Sequence, residues 1–246
     1  MKVYGLIGYP LGHSFSKKYF TEKFANEGIA DCSYENFPIQ TIDELKTVLS
    51  QNPQLCGLNI TIPHKQVIFP FLNDRTNLPE GLTACNCIKI IDGKLVGYNT
   101  DVTGFEKSLL SKLNGHHTNA LILGNGGAAE AVKFVLNKLN INFKIVSRKL
   151  HNGSHLTYAD LNETILKEHL LIVNTTPLGT FPHIEECPSV PYQFITTRHY
   201  LFDLVYNPAK TLFLQKGEEK GAAIKNGADM LEIQAEDSWR IWNEEK

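Results

Sequence analysis

Residues 120–129 read Ala120-Leu-Ile-Leu-Gly-Asn-Gly-Gly-Ala-Ala129, an apolar run, a glycine-rich turn and the start of a helical pattern. A strand that passes directly through such a turn into a helix has the layout of a dinucleotide-binding loop. Gly124 permits the tight turn, Gly126 lets the backbone approach a pyrophosphate, and Ala129 is small where the helix must pack on the strand. The helix N-terminus then faces an anion. Two other uses of this loop stay open at this point: a plain βα turn, and an S-adenosylmethionine site.

Working toward the C-terminus, the pattern predicts a helix over 128–139 and strands over 142–146, 170–174 and 201–204. That alternation implies an α/β fold whose nucleotide domain is a doubly wound, Rossmann-type parallel sheet. An NAD site normally presents an acidic side chain at the end of its second strand, to the ribose 2′-hydroxyl. This chain has Ser147-Arg148-Lys149 there, two cations suited to a 2′-phosphate, although a solvated basic turn reads the same way. A last helix over 228–242 places Leu231, Ala235, Ser238 and Trp242 on one stripe, so it must pack against something, and the first domain is the expected partner. Gln234 lies on the inward side, where a buried amide needs partners.

Toward the N-terminus a second α/β region is expected, with strands over 3–7, 33–37 and 57–62 and helices over 16–27 and 42–50. In the third strand Leu58, Ile60 and Ile62 should share one face and Asn59 and Thr61 the other. Pro63 stops that ladder, so His64 and Lys65 project where α/β sheets bind ligands. Asp92-Gly93 between apolar runs marks a two-residue hairpin that pairs Ile91 with Lys94. Counted outward, this register gathers Asn86, Asn99 and Asp101 at the hairpin's open end. Ser14 and Ser16 follow the first strand, where they can cap a helix or bind a ligand. A helix is expected over 103–113, with a polar break at 114–117 before the nucleotide domain.

With 24 basic and 26 acidic residues the formal charge is -2, which supplies no field for nucleic acid or an anionic membrane. A small-molecule ligand is the default. No apolar stretch suggests a signal peptide or a membrane span, and five cysteines fit neither a disulfide framework nor a zinc pattern. A cytoplasmic protein with reduced thiols and no metal is expected.

Taken in order, Gly8-Tyr-Pro-Leu-Gly-His-Ser-Phe-Ser16, Asn59-Ile-Thr-Ile-Pro-His-Lys65, Ala84-Cys-Asn86 and Gly97-Tyr-Asn-Thr-Asp101 resemble the shikimate dehydrogenase family. The likeness continues through Gly124 to Ala128, Asn174-Thr-Thr-Pro-Leu-Gly179, Asp203-Leu-Val-Tyr206 with Pro208 and Thr211, and Gly227 to Gln234. It implies a discontinuous substrate domain over 1–103 and 228–246, an NADP domain over 104–227, and a cleft that closes on the substrates. It also implies reversible, NADPH-dependent reduction of 3-dehydroshikimate to shikimate by a monomer or homodimer. Lys65 and Asp101 are then the catalytic pair. Ser14 and Ser16 hold the substrate carboxylate, and Asn59, Thr61, Asn86, Asp101, Tyr206 and Gln234 surround the ring hydroxyls. The cofactor contacts are Gly124, Asn125, Gly126, Gly127, Ala128, Ser147, Arg148, Lys149, Thr175, Leu204 and Gly227. The chain departs from the family pattern at Lys17, Cys87 and Thr180, and Lys17 is expected to add charge near the substrate carboxylate. A relative that also oxidises quinate, and a non-enzymatic NADP-binding regulator, are the neighbouring readings. Retention of both lysine and aspartate favours an enzyme.

Overall fold

The apolar runs become the strands of two sheets, joined by helices wherever the periodicity lengthens. The computed structural model describes residues 1–12, 15–150 and 153–244. In chain order the elements are β1 (Lys2–Gly8), α1 (Phe15–Asn26), β2 (Cys32–Pro38), α2 (Leu45–Gln51), β3 (Leu55–Ile60), β4 (Cys87–Ile91), β5 (Lys94–Tyr98) and α3 (Thr100–Leu110). There follow β6 (Asn119–Leu123), α4 (Gly127–Lys138), β7 (Asn142–Ser147), β8 (Leu156–Thr157), α5 (Glu163–Glu168), β9 (Leu171–Asn174), β10 (Tyr200–Asp203), α6 (Leu212–Glu218), β11 (Ala223–Lys225) and α7 (Ala228–Asn243). The chain divides into two units, Met1–Gly104 with Leu231–Lys246, and Phe105–Met230.

The first unit holds a five-stranded sheet in the order β2-β1-β3-β4-β5, with β1 to β3 parallel and the β4–β5 hairpin antiparallel. Asp92 and Gly93 both have positive φ, 49° and 74°, as a type I′ turn requires, and Ile91 pairs with Lys94 as the turn length predicts. Alternation sends Ile7, Leu58, Ile60 and Ile88 into one core and Tyr4, Tyr34 and Cys87 into another, where Phe20 of α1 packs. Regular alternation would put Cys85 and Cys87, two residues apart, on one face, but Cys85 precedes β4, and the two thiols pack in different cores. Trp242 of α7 stacks on Tyr4 at 4.8 Å, and its Nε1 donates to the Ile88 carbonyl at 2.9 Å. Gly57 makes this possible, since a Cβ there would stand 2.3 Å from the Trp242 indole nitrogen.

Three boundaries differ from the expectation. β3 ends at Ile60, and Ile62 is 67% exposed instead of sharing the buried face of Leu58 and Ile60. Pro63 supplies no N–H and restricts the residue before it, so the chain leaves the sheet early. The helix expected over 103–113 spans Thr100–Leu110, because Asn99 caps it by accepting from the Val102 N–H at 3.1 Å. The segment after Thr41 opens as a 3₁₀ turn over Ile42–Glu44, where Glu44 accepts from the Thr41 N–H at 2.8 Å.

In the second unit the order is β11-β10-β9-β6-β7-β8, every pair parallel. The first strand, β6, lies between β7 and β9, so the chain reverses direction of travel across the sheet there. This is the doubly wound order, and ligands bind outside the carboxyl ends of the strands at the switch point. Leu121, Leu123, Ile172 and Leu201 are fully buried and form the core with Phe213 of α6.

Histidines also shape this unit. The Nδ1 of His117 accepts from the Asn114 N–H at 2.9 Å and its Nε2 donates to the Arg198 carbonyl at 3.2 Å. His199 accepts from the Thr196 N–H at 3.0 Å and donates to the Leu166 carbonyl at 3.0 Å. Burial holds both imidazoles below their ordinary range, and His169 with them. Because the folded value is depressed, the stability from these neutral rings is present above the unfolded value, about 6.5, and is lost as pH falls through the folded values. The thermal midpoint of the wild type should therefore fall further between about pH 7.5 and pH 5.5 than that of His199→Gln. Equal falls would remove His199 as a source of acid sensitivity.

Candidate functional site

Two constellations emerge, one in each unit. In the first, Lys65 sits five residues past β3, its carbonyl accepting from the Cys85 N–H at 2.9 Å. Its Nζ donates to Asp101 Oδ2 at 2.6 Å, and the two side chains are only 20% and 15% exposed. Asp101 occupies the first turn of α3, where a carboxylate is favoured by the unpaired N–H groups of the helix start. Asn99 fixes that turn by capping it and by donating to the Ala84 carbonyl at 2.6 Å. An ammonium held against a carboxylate, half withdrawn from water, can deliver a proton to an oxygen and be realigned afterwards.

Beside this pair runs a buried polar network. Tyr34 donates to Asn59 Oδ1 at 2.8 Å, and Asn59 Nδ2 donates to Ser238 Oγ at 2.9 Å. Asn86 Nδ2 donates to Thr100 Oγ1 at 3.0 Å, while its Oδ1 accepts from the Thr100 N–H at 2.7 Å. Gln234 Oε1 accepts from Asn86 at 3.5 Å and from Thr100 at 3.4 Å. Among the described residues the Gln234 Nε2 has no protein acceptor, which leaves its donors for a ligand. Asn59, Asn86 and Gln234 are thus brought together. Tyr34, Thr100 and Ser238 complete the network without having been singled out as site residues. Burial pushes the Tyr34 phenol well above its ordinary range, and a hydrogen bond with Ser16 opposes that rise.

Ser16 lies in the first turn of α1 and Thr61 directly after β3. Ser14 lies outside the described residues. The Lys17 ammonium is paired with Glu35 at 2.9 Å on the protein surface. Tyr206, in the second unit, is 39% exposed.

The second constellation is a groove of about 740 Å³ at the carboxyl ends of β6, β7 and β9. Gly124, Asn125, Gly126, Ser147, Arg148, Lys149 and Thr175 line it. Gly124 has φ of 101°, and a Cβ there would meet Thr176 at 2.9 Å and Thr175 at 3.0 Å. A Cβ on Gly126 would meet nothing within 4 Å, so the turn leaves open space in front of the α4 N-terminus, whose first residues are Gly127 and Ala128. The Ser147 hydroxyl donates to the Lys149 carbonyl at 2.7 Å and shapes the basic turn. Tyr158, Thr176, Pro177 and Leu178 complete the lining. Leu204 and Gly227 pack on one another, a Cβ on Gly227 falling 2.3 Å from the Leu204 carbonyl oxygen, and they are not among the lining residues. An open glycine turn, a helix start and two exposed cations fit a phosphorylated dinucleotide. Among the described residues no group of three or more His, Cys, Asp or Glu could hold a metal ion.

The family model of the shikimate dehydrogenase substrate binding domain matches residues 6–88. A shikimate dehydrogenase (NADP⁺) of Methanococcus maripaludis is 37% identical, over 98% of this chain and 91% of the relative. A crystal structure of a shikimate dehydrogenase in complex with NADP⁺ superposes with a TM-score of 0.84 at 30% identity, covering 99% of this chain and 90% of the other. The Thermus thermophilus shikimate 5-dehydrogenase in complex with NADP(H) and shikimate gives 0.85 at 26% identity, over 99% and 94%.

Proposed function

The chain belongs to the shikimate dehydrogenase family, and on that premise we propose the residues that carry the reaction. It is an NADP-dependent oxidoreductase that reduces 3-dehydroshikimate reversibly to shikimate, in the biosynthesis of chorismate and the aromatic amino acids. The observation that carries the site assignment is the 2.6 Å contact between Lys65 and Asp101.

NADPH, when bound, supplies the hydride that reaches the ketone carbon. Lys65 Nζ donates a proton to the ketone oxygen as it becomes a hydroxyl, and takes one back in the reverse direction. Asp101 accepts from the ammonium and keeps it aimed, while its other oxygen remains for a substrate hydroxyl. Ser14 and Ser16 bind the substrate carboxylate, and Asn59, Thr61, Asn86 and Gln234 surround the ring hydroxyls, with Gln234 donating from its Nε2. The network through Tyr34, Thr100 and Ser238 fixes these amides before substrate arrives, which lowers the cost of ordering them. Tyr206, Leu204 and Gly227 are assigned to substrate and cofactor by family resemblance. Gly124 to Ala128 take the pyrophosphate, Ser147 to Lys149 the 2′-phosphate, and Thr175 borders the same groove.

We place the enzyme in the cytoplasm as a monomer or homodimer acting on small molecules, without nucleic acid. Among the described residues no helix is long and apolar enough to cross a membrane. The test follows NADPH absorbance with 3-dehydroshikimate and 3-dehydroquinate offered separately. Oxidation with the first and little with the second is the expected result. Comparable rates with both would make the chain a broader quinate and shikimate dehydrogenase, and none with either would refute the activity.

A further inference from the structure

Behind the groove wall lies a buried carboxylate that the reaction does not use. Asp203 ends β10 and has no exposure to solvent. Its Oδ1 accepts from Asn174 Nδ2 at 2.9 Å and from the Val205 N–H at 3.0 Å, and its Oδ2 accepts from the Thr211 hydroxyl at 2.6 Å. Asn174 ends β9, and its Oδ1 in turn accepts from the Thr176 N–H at 3.0 Å and hydroxyl at 2.6 Å. Thr176, Pro177 and Leu178 line the groove. One chain of hydrogen bonds therefore runs from the Thr211 hydroxyl through Asp203 and Asn174 to the cofactor wall.

Resting on the reading of this groove as the NADP site, we propose that Asp203 is a positioning residue for the cofactor. Its ionised carboxylate orients the Asn174 amide and so holds the Thr175–Leu178 wall in the form that receives the dinucleotide.

All three of its partners act as donors, which is the arrangement an ionised carboxylate satisfies. A proton on Oδ1 would displace the Asn174 amide, and one on Oδ2 would oppose the Thr211 hydroxyl. Either way the Asn174 oxygen loses its fixed aim at Thr176. Burial raises the carboxyl to about 6, with the Thr211, Val205 and Asn174 hydrogen bonds opposing, so the group changes charge within an accessible range. One titratable side chain that feels its charge is the Tyr192 phenol, which burial keeps far above its ordinary range and therefore neutral. Cys187 and Lys216 lie against Tyr192, Lys216 at 5.0 Å from its ring centroid. Asn174 and Thr211, the side chains that reach Asp203 from β9 and the start of α6, carry no charge.

The experiment measures NADPH and NADH dissociation constants by fluorescence titration of the whole chain, wild type and Asp203→Asn, from about pH 7.5 down to about pH 5, with circular dichroism at each step. At the upper pH, Asp203→Asn should bind both cofactors about tenfold more weakly, a step the size of one charge-assisted hydrogen bond. The variant to wild-type ratio should close toward one in acid, as the wild type protonates. The 2′-phosphate of NADPH also titrates near about pH 6, but it does so for both proteins and cancels in the ratio. A ratio of one throughout, or one that does not change with pH, overturns the role of Asp203 while leaving the groove as the NADP site. Failure of the wild type to bind either nucleotide overturns that reading and the inference with it. Should Asp203→Asn not fold, the wild type decides with NADH, which lacks the 2′-phosphate. A loss of about tenfold in acid supports the inference, and a flat profile overturns it.

Discussion

Lys65→Ala is expected to lower the turnover number by about 10²–10⁴-fold while leaving NADPH affinity and the fold near wild type. The size follows from the step removed. A ketone oxygen that gains negative charge as hydride arrives needs a proton, and water is a poor donor for it. The Lys65 ammonium, 2.6 Å from Asp101 and 20% exposed, is oriented for that transfer before the substrate arrives. Lys65→Met removes the charge and keeps the bulk, so it should be nearly as slow. Asp101→Asn should slow turnover less and raise the Michaelis constant more, because its carboxylate is proposed to touch the substrate hydroxyl as well as the ammonium. Steady-state kinetics at saturating NADPH, with circular dichroism to confirm folding, separates these effects. Near-normal turnover in a folded Lys65→Ala, where chemistry limits the rate, would make the lysine a bystander.

The readable and unreadable parts of this site differ for physical reasons. Gly124 to Ala129 is local: strand, turn and helix start are contiguous, so the geometry of the loop is encoded where it is used. The hairpin is local too, and its turn length sets the pairing that carries Asn99 and Asp101 to one end. Tyr34 is different. Its phenol matters because β2 lies beside β1 and places it against Asn59, 25 residues away in sequence, and no short-range pattern announces that meeting. Ser238 was legible as an inward position of α7, but its partners Asn59 and Thr100 come from β3 and the start of α3. Boundaries failed where side chains overrode periodicity, as at Asn99, whose cap starts α3 before its apolar pattern begins. The short strands β8 and β11, of two and three residues, carry too little pattern to register, yet the turn after β8 brings Tyr158 to the groove.

Arg148→Glu should weaken NADPH binding by roughly ten- to hundredfold while sparing NADH, the loss of a charge-assisted contact of about 1.5–3 kcal/mol. The end of β7 is where a dinucleotide fold distinguishes its cofactors, because the adenosine ribose comes to rest there. Arg148 and Lys149 are both exposed at that point and line the groove, in position to meet an added phosphate. The Ser147 to Lys149 hydrogen bond keeps the turn compact without consuming either cation. Burial raises the nearby Tyr158 phenol and the positive charge of Arg148 opposes that rise, which places the guanidinium on the same side of the groove. A glutamate at 148 would repel the 2′-phosphate and offer the ribose 2′-hydroxyl of NADH the acceptor that an NAD site normally provides. NADH affinity should therefore hold or improve, and the change in preference should match or exceed the loss for NADPH alone. Titration of both cofactors against the folded variant reads this directly. An equal loss for the two would locate the damage in the fold of the turn, and cofactor choice would have to be sought elsewhere in the groove.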